Sequence, residues 1–332
     1  MPAYFATEPE SLLADALNGF CRAHTDLVVR DAGNGYLRAR HPSRDRRVGL
    51  VSGGGSGHEP LHIGFVGAGM LDAACPGRVF TSPHNRQILE ASRAVAGPGG
   101  VLHIVKNYTG DRINFGIAAE RLAHLGIPCA RVLVDDDLAT ATGGPGPGRR
   151  GTAATVLVEK VLGAAADRGA GLPELVRLGE RVTARCRSLA VASRAHGLPA
   201  TGAPAFELAA DEVEFGVGIH GERAERTIPG EPLNRLLERM TDPLLAALAP
   251  ARGEPVILLV NGLGAVTDLE LYAILDAGER LLHKRGTPPA RCAVGEFVTT
   301  LDMRGFSLTL LVADEETLDL YDAPVHTPVW RW

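Results

Sequence analysis

A run of three glycines directly after an apolar strand constrains this chain more than any other feature. The stretch reads VGLVSGGGSGHEPLHIGFVGAGMLDAACPGRVFTSP over residues 48–83. Val48, Leu50 and Val51 read as a short buried strand that breaks at once into Ser52-Gly53-Gly54-Gly55-Ser56-Gly57. The break delivers His58, Glu59 and Pro60 to the start of a helix. Glycines lack the Cβ that would keep a ligand away from the backbone. Their entropic cost on folding makes so many together a poor choice for a purely structural loop.

The rest of the chain alternates in the same manner. An amphipathic helix is expected over residues 9–23, a helix at Asn85–Val95 and a strand at Val101–Val105 ending in Lys106-Asn107-Tyr108-Thr109-Gly110-Asp111. A helix from about Arg112 to Leu125 and a strand at Ala130–Val134 follow. This alternation predicts an α/β domain with a largely parallel sheet. SGGGSGHEP and KNYTGD both fall where a strand ends and a helix begins, the place ligands occupy in such sheets. Residues 135–151, DDDLATATGGPGPGRRG, read as a mobile loop or lid. Two helices, about Thr152–Ala166 and Leu172–Cys186, close the first domain, 1–187.

A second α/β domain, 188–332, is expected to carry strands at Leu189–Ser193, Glu214–Ile219, Val256–Val260, Ala293–Phe297 and Ser307–Val312. Its helices are placed at Pro232–Leu248, Asp268–Lys284 and Glu315–Asp322. No internal repeat is evident.

Several function classes are excluded by composition. The net charge is −5, so no basic footprint for nucleic acid exists. No apolar run approaches the ~20 residues of a membrane helix, and MPAYFATEPESLL lacks the pattern of a secretory signal. Five dispersed cysteines (Cys21, Cys75, Cys129, Cys186, Cys292) argue for reduced thiols in a cytoplasmic protein rather than disulfides or a zinc site.

The glycine run is not a P-loop, because Gly57 is followed by His58 instead of Lys-Ser/Thr. It is not a dinucleotide fingerprint either, because His58 replaces the third glycine. His58-Glu59-Pro60-Leu61-His62 matches the letters H-E-x-x-H, but that zinc motif requires one continuous helix, and Pro60 wants a helix's first turn. His62 is therefore read as a helix-face residue packing near the loop. No metal ligand is assigned. Asp135-Asp136-Asp137 could bind a divalent ion but reads more simply as a solvated acidic run.

Three stretches are left to carry chemistry. Taken alone, Lys106 is a strand end and Asp111 a helix cap. Sharing an edge with His58, they could neutralise a transferring phosphoryl group and take a proton from an attacking hydroxyl. The third stretch, Gly216-Val217-Gly218-Ile219-His220-Gly221-Glu222, presents a glycine-flanked histidine at the end of an apolar strand. Its imidazole could serve as base, metal ligand or nucleophile.

With these stretches in hand, the chain resembles the dihydroxyacetone-binding subunit of dihydroxyacetone kinases. The resemblance runs through GLVSGGGSGHEP (49–60), GMLDAA (69–74), VFTSP (79–83), VKNYTGDRINFGIAAER (105–121) and GRRGTAATVLVEK (148–160). It continues in GVGIHGE (216–222), LLVNGLG (258–264), TTLDMRGFSLTLL (299–311) and DAPVHTPVW (322–330).

The resemblance implies a kinase subunit that captures a short-chain ketone as a hemiaminal on His220. His58 and Asp111 match the other two catalytic positions, either being the base, and Gly55, Ser56, Gly57 and Lys106 match substrate-binding positions. It further implies a homodimer that binds no nucleotide itself. The phosphate would come from ADP or ATP with Mg2+ on a separate nucleotide-binding kinase subunit, in a phosphotransferase-dependent or an ATP-using system. A paralogous role, as a non-catalytic ketone sensor acting with a transcription regulator, is the alternative.

The sequence departs from the family pattern at His84-Asn85-Arg86-Gln87-Ile88, at Arg223-Ala224 and at SRAHGLPA (193–200). His84 and Arg86 suggest a longer or more polar ketose, such as a tetrulose, beside dihydroxyacetone.

Overall fold

A computed structural model describes residues 4–8, 10–141, 148–198, 201–223 and 227–332. The centre of the expected lid, residues 142–147, lies outside these, as do Ala224 and the end of SRAHGLPA. Two compact units emerge: Tyr4–Val134 with Thr155–Arg181 and Thr317–Trp332, and Asp135–Ala154 with Val182–Glu316. The single cut at 187/188 does not describe them. Asp135–Ala154 groups with the later unit, and the last sixteen residues group with the earlier one.

The glycine-bearing unit opens with α1 (Leu12–Ala23) and a hairpin, β1 (Val28–Asp31) and β2 (Tyr36–Ala39). Then come β3 (Gly49–Ser56), a single 3₁₀ turn at Ile63–Phe65, β4 (Ala73–Val79), α2 (Asn85–Val95), β5 (Val101–Lys106), α3 (Thr109–His124) and β6 (Cys129–Val134). The six-stranded sheet has the order β1-β2-β4-β3-β5-β6. The hairpin and its pairing with β4 are antiparallel, while β4-β3-β5-β6 is parallel. The largely parallel sheet is thus as expected. β1, β2 and β4 escape a reading by periodicity because the first two are four residues long and β4 contains Pro76 and Gly77.

The glycines correct the expectation most. They do not break the strand: β3 runs through Gly53, Gly54 and Gly55 to Ser56, fully buried. β3 pairs with β5 only as far as Ser52↔Ile104, then follows β4 alone to Ser56↔Val79. Close neighbours impose the glycines. A Cβ on Gly53 would lie 2.6 Å from the Cys75 carbonyl oxygen, and one on Gly55 2.6 Å from the Thr81 nitrogen. Nor does a helix start at Pro60. Turns lead into the 3₁₀ residues, where Gly64 packs so tightly on Pro60 and Val329 that a Cβ would sit 2.6 and 2.7 Å from them.

A buried charge cluster anchors the start of β3. Arg46 pairs with Asp72 (2.6 Å) and Asp167 (2.5 Å), and Asp72 also accepts from the Leu50 amide at 2.8 Å. Behind the sheet, Ile88, Leu89, Val101, Val105, Phe115 and Leu122 form the core between α2, α3 and the strands. α4 (Ala154–Asp167), α5 (Leu172–Ala184) and α8 (Glu315–Asp322) contribute further buried surface, including Val156, Leu157, Leu175 and Leu320.

The other unit holds β7 (Cys186–Arg194), β8 (Glu212–Phe215), β9 (Thr227–Pro229), α6 (Leu233–Leu248), β10 (Val256–Gly262), α7 (Asp268–Lys284), β11 (Pro289–Gly295) and β12 (Arg304–Val312). Its sheet, β11-β10-β12-β7-β8-β9, is antiparallel except for β10-β11. α6 and α7 cover one face with Leu237, Met240, Leu244, Leu271 and Leu282. The expected helices hold to within a residue. β8, however, stops at Phe215, because Gly216 takes a φ of +86°. The acidic run is not solvated: Asp136 is buried and accepts from the Thr152 amide (2.7 Å), the Thr152 hydroxyl (2.6 Å), the Ala154 amide (3.1 Å) and the Ser188 hydroxyl.

Arg46→Ala would leave two carboxylates without their cation, Asp72 in a buried setting. Losing one partner of a buried ion pair costs about 3–5 kcal/mol. Urea unfolding of Arg46→Ala should show a stability loss of that order, and a variant as stable as the parent would refute this role.

Candidate functional site

Parallel pairing brings the carboxyl ends of β3 and β5 to the same edge of the sheet. β3 ends at Ser56 and is followed by Gly57, whose φ of +96° turns the chain and places His58, fully buried, beside the Phe80 ring at 5.1 Å. β5 ends at Lys106, which is buried and is no solvated strand end. α3 begins earlier than expected, with Tyr108 as its N-cap, so Asp111 stands in the first helical turn and not at the cap. Its side chain is buried there, and Oδ1 has no hydrogen-bond partner among the described residues. An anionic side chain in a first turn meets the positive end of the helix dipole.

Lys106 is the centre of this cluster. Its Nζ lies 2.1 Å from where a Cβ on Gly54 would be, so the middle glycine makes the room in which the amine sits. Nζ donates to His62 Nε2 at 2.8 Å, and His62 Nδ1 faces Glu159 Oε1 at 2.7 Å and Ser52 Oγ at 3.0 Å. His62 is therefore not a helix-face residue: both ring nitrogens are engaged inside the unit. Burial, then the neighbouring Lys106 and His58, hold its imidazole well below the usual histidine range. Burial likewise lowers the Lys106 ammonium, against the opposing pull of Asp111 and Glu159, and pushes the Glu159 carboxyl up to about 8.

The remaining expected residues sit close by. Ser56 Oγ donates to the Gly77 carbonyl at 2.7 Å, and the Gly57 amide donates to Glu59 at 2.8 Å. Gly55 packs against the backbone of Phe80 and Thr81. His84 and Arg86 are exposed, and His84 acts as the N-cap of α2, its Nδ1 accepting from the Arg86 amide at 3.1 Å.

His220 belongs to the other unit and stands in the loop after β8, five residues past the strand's end. Its Nδ1 lies 3.0 Å from Glu222 Oε1, and its own amide donates to Glu222 Oε2 at 2.9 Å. Gly218 makes space for that carboxylate, because a Cβ there would be 2.2 Å from Oε2. The Thr300 hydroxyl anchors the loop through the Ile219 carbonyl at 2.9 Å. Burial alone would raise the Glu222 carboxyl, but the His220 hydrogen bond and charge, with backbone amides, bring it below its usual range. Buried His196 packs under Gly221, its Cε1 2.7 Å from where a Cβ on that glycine would be. Among the described residues, no group of three or more His, Cys, Asp or Glu side chains could hold a metal ion, and no helix is long and apolar enough to cross a membrane.

Sequence reasoning missed Glu159, His62 and Glu222 as working parts. One signal was available: of 34 Lys and Arg residues only three are lysines, Lys106, Lys160 and Lys284. Two of the three are buried. Lys160 donates to the carbonyls of Leu320 and Ala323, both at 2.9 Å, at the end of α8.

Residues 18–329 match the Dak1 domain, and the chain belongs to that family. It is 41% identical to the dihydroxyacetone-binding subunit DhaK of a PEP-dependent dihydroxyacetone kinase from Escherichia coli, over 97% of both chains. Among solved structures, the dihydroxyacetone kinase operon co-activator DhaQ superposes with a TM-score of 0.90 at 34% identity, covering 96% of this chain and 98% of that one. The dihydroxyacetone kinase of C. freundii superposes with a TM-score of 0.89 at 35% identity, covering all of this chain and 60% of that one.

Gly54→Ala places a methyl group on the lysine amine, the movable end of a side chain, so the strand survives and the amine is displaced. The protein should still fold, with a stability loss of roughly 1–3 kcal/mol from the disturbed Lys106–His62 hydrogen bond. The Lys106 ε-carbon resonance, one of three in an ε-13C-lysine spectrum, should shift. An unmoved resonance would show that the glycine is dispensable to the amine's position.

Proposed function

We propose that this protein is the substrate-binding subunit of a ketose kinase, acting on dihydroxyacetone or a tetrulose. His220 captures the ketone, and the residues around Lys106 prepare its hydroxyl for phosphorylation by a nucleotide-bearing partner. The observation that carries this reading is the His220–Glu222 pair. A carboxylate at Nδ1 selects the Nδ1–H tautomer and so puts the lone pair on Nε2. Nε2 adds to the ketone carbon as the C=O π bond breaks. The carbonyl oxygen takes a proton from solvent water, the positive charge arising on the ring is relieved as Nδ1–H passes its proton to Glu222, and Glu222 returns a proton to solvent. Water is not lost, so the adduct carries the full mass of the ketose.

Capture fixes a small and weakly binding molecule in one orientation. The ketose hydroxyl then attacks the donor's terminal phosphorus, its proton going to His58 or Asp111. Lys106 supplies positive charge where the phosphoryl group transfers. The nucleotide, ADP or ATP with Mg2+, is assigned to the partner, since neither glycine motif in this chain has phosphate-loop form.

A second reading, as a ketone-binding co-activator, is favoured by the likeness to DhaQ. The presence of His58, Lys106 and Asp111 together supports the enzyme instead, because capture alone needs none of them.

Native mass spectrometry of the protein with dihydroxyacetone or erythrulose should show an increase equal to the intact ketose. His220→Ala should abolish it, and Glu222→Gln should slow its appearance by about 10²-fold, the scale of a lost proton acceptor. An adduct persisting in His220→Ala, or one lighter by a water, would refute the assignment. Phosphoryl transfer in the presence of the partner subunit separates the readings: its absence beside normal adduct formation would establish the co-activator.

A further inference from the structure

The reading above uses Lys106 but not the chain of groups behind it. Four contacts fix how those groups are protonated. The Ser52 hydroxyl has one proton, and it goes to the Ile104 carbonyl at 2.8 Å. Towards His62 Nδ1, 3.0 Å away, Ser52 Oγ can then only accept. So Nδ1 carries the ring proton, shared with Glu159 Oε1 at 2.7 Å. The neutral imidazole keeps its lone pair on Nε2, where Lys106 Nζ donates at 2.8 Å. Protonating both nitrogens would set an N–H against the lysine's own N–H groups. A lysine amine has donors and no lone pair to offer once charged, so this lone pair is what holds it.

We infer that His62 and Glu159 are positioning residues, Glu159 fixing the tautomer of His62 and His62 fixing the Lys106 amine against Gly54 at the carboxyl end of β3. The geometry argues against a merely structural cluster. All three side chains are buried, and apolar side chains of similar volume would give a core at least as stable as buried, paired charges. Glu159 Oε2 has no hydrogen-bond partner among the described residues, so only its Oε1 is used. Gly54 leaves room for the amine and nothing larger: a Cβ there would also lie 3.3 Å from His62 Nε2.

The groups facing Lys106 come from three directions: His62, itself beside His58, from the turns after β3, Asp111 from α3 and Glu159 from α4. Asp111 supports the ammonium against burial, and Glu159 does so once it is ionised, above about pH 8. Removing the charge of Glu159 therefore lowers the lysine's titration point, and an activity that needs the ammonium is lost at lower pH.

The consequence for turnover rests on the ketose-kinase reading, but the position of the amine can be read without substrate. The test uses the full chain labelled with ε-13C lysine, whose three signals are assigned with Lys106→Met and Lys284→Arg. In Glu159→Gln the Lys106 signal should titrate at least about one pH unit lower, and the alkaline limb of kcat/KM, measured with the partner subunit, should move the same way. His62→Leu should lower kcat by about 10²-fold. His62→Gln, whose amide oxygen can accept from the lysine, should recover most of that loss. Should His62→Leu not fold, the isosteric Glu159→Gln still decides the matter. An unchanged Lys106 titration in Glu159→Gln overturns the proposal. So does equal activity of His62→Leu and His62→Gln. A parent protein that forms no ketose adduct and transfers no phosphate defeats the ketose-kinase reading instead, while the lysine titration still reports on the positioning of the amine.

Discussion

The buried amine of Lys106 is the constraint from which much of the glycine-bearing unit follows. An ammonium taken from water must find acceptors or counter-charges nearby. Here it has a lone pair from His62, the neighbouring carboxyl groups of Asp111 and Glu159, and a hole where Gly54 has no side chain. Each supplier arrives on a different element: the turns after β3, α3, α4 and β3 itself. The parallel sheet is what makes them converge, because β3 and β5 end at the same edge.

His220 and Lys106, both proposed to take part in the reaction, are prepared differently. His220 is held by Glu222 within one five-residue loop, so its tautomer is set by local geometry. Lys106 depends instead on contacts across long stretches of chain, such as its own with His62 and that of His62 with Glu159, 97 residues apart. A nucleophile needs one lone pair presented outward, which a single neighbouring carboxylate can fix. An electrostatic site for phosphoryl transfer needs several groups in fixed relation, which only a packed sheet edge supplies.

The sequence carried the strand–helix alternation, the pairing of SGGGSGHEP with KNYTGD at one sheet edge, and the boundaries of α2, α7 and α8 to the residue. Those helices are long or well signalled; α7 has a capping box of Thr267 and Glu270. What escaped it was the extent of β3, read as broken by its glycines, and the character of His62, read as a helix-face residue. Glycine signals a turn by default, and the strand is legible only once Cys75, Phe80 and Thr81 are seen to occupy the space a Cβ would need.

From the sequence alone came residue types in order: a glycine run, His58, Lys106, Asp111 and a glycine-flanked His220, enough to indicate the family. Periodicity and motif letters report on neighbours along the chain, and those residues lie in such local patterns. The tertiary structure decided what lies behind them. Glu159 sits among apolar residues on α4 and carries no local mark, and Asp136 looks like a solvated acid until Thr152 and Ser188 are placed around it. Burial and hydrogen bonding between distant residues set their protonation and their roles, and neither is written in the spacing of the sequence.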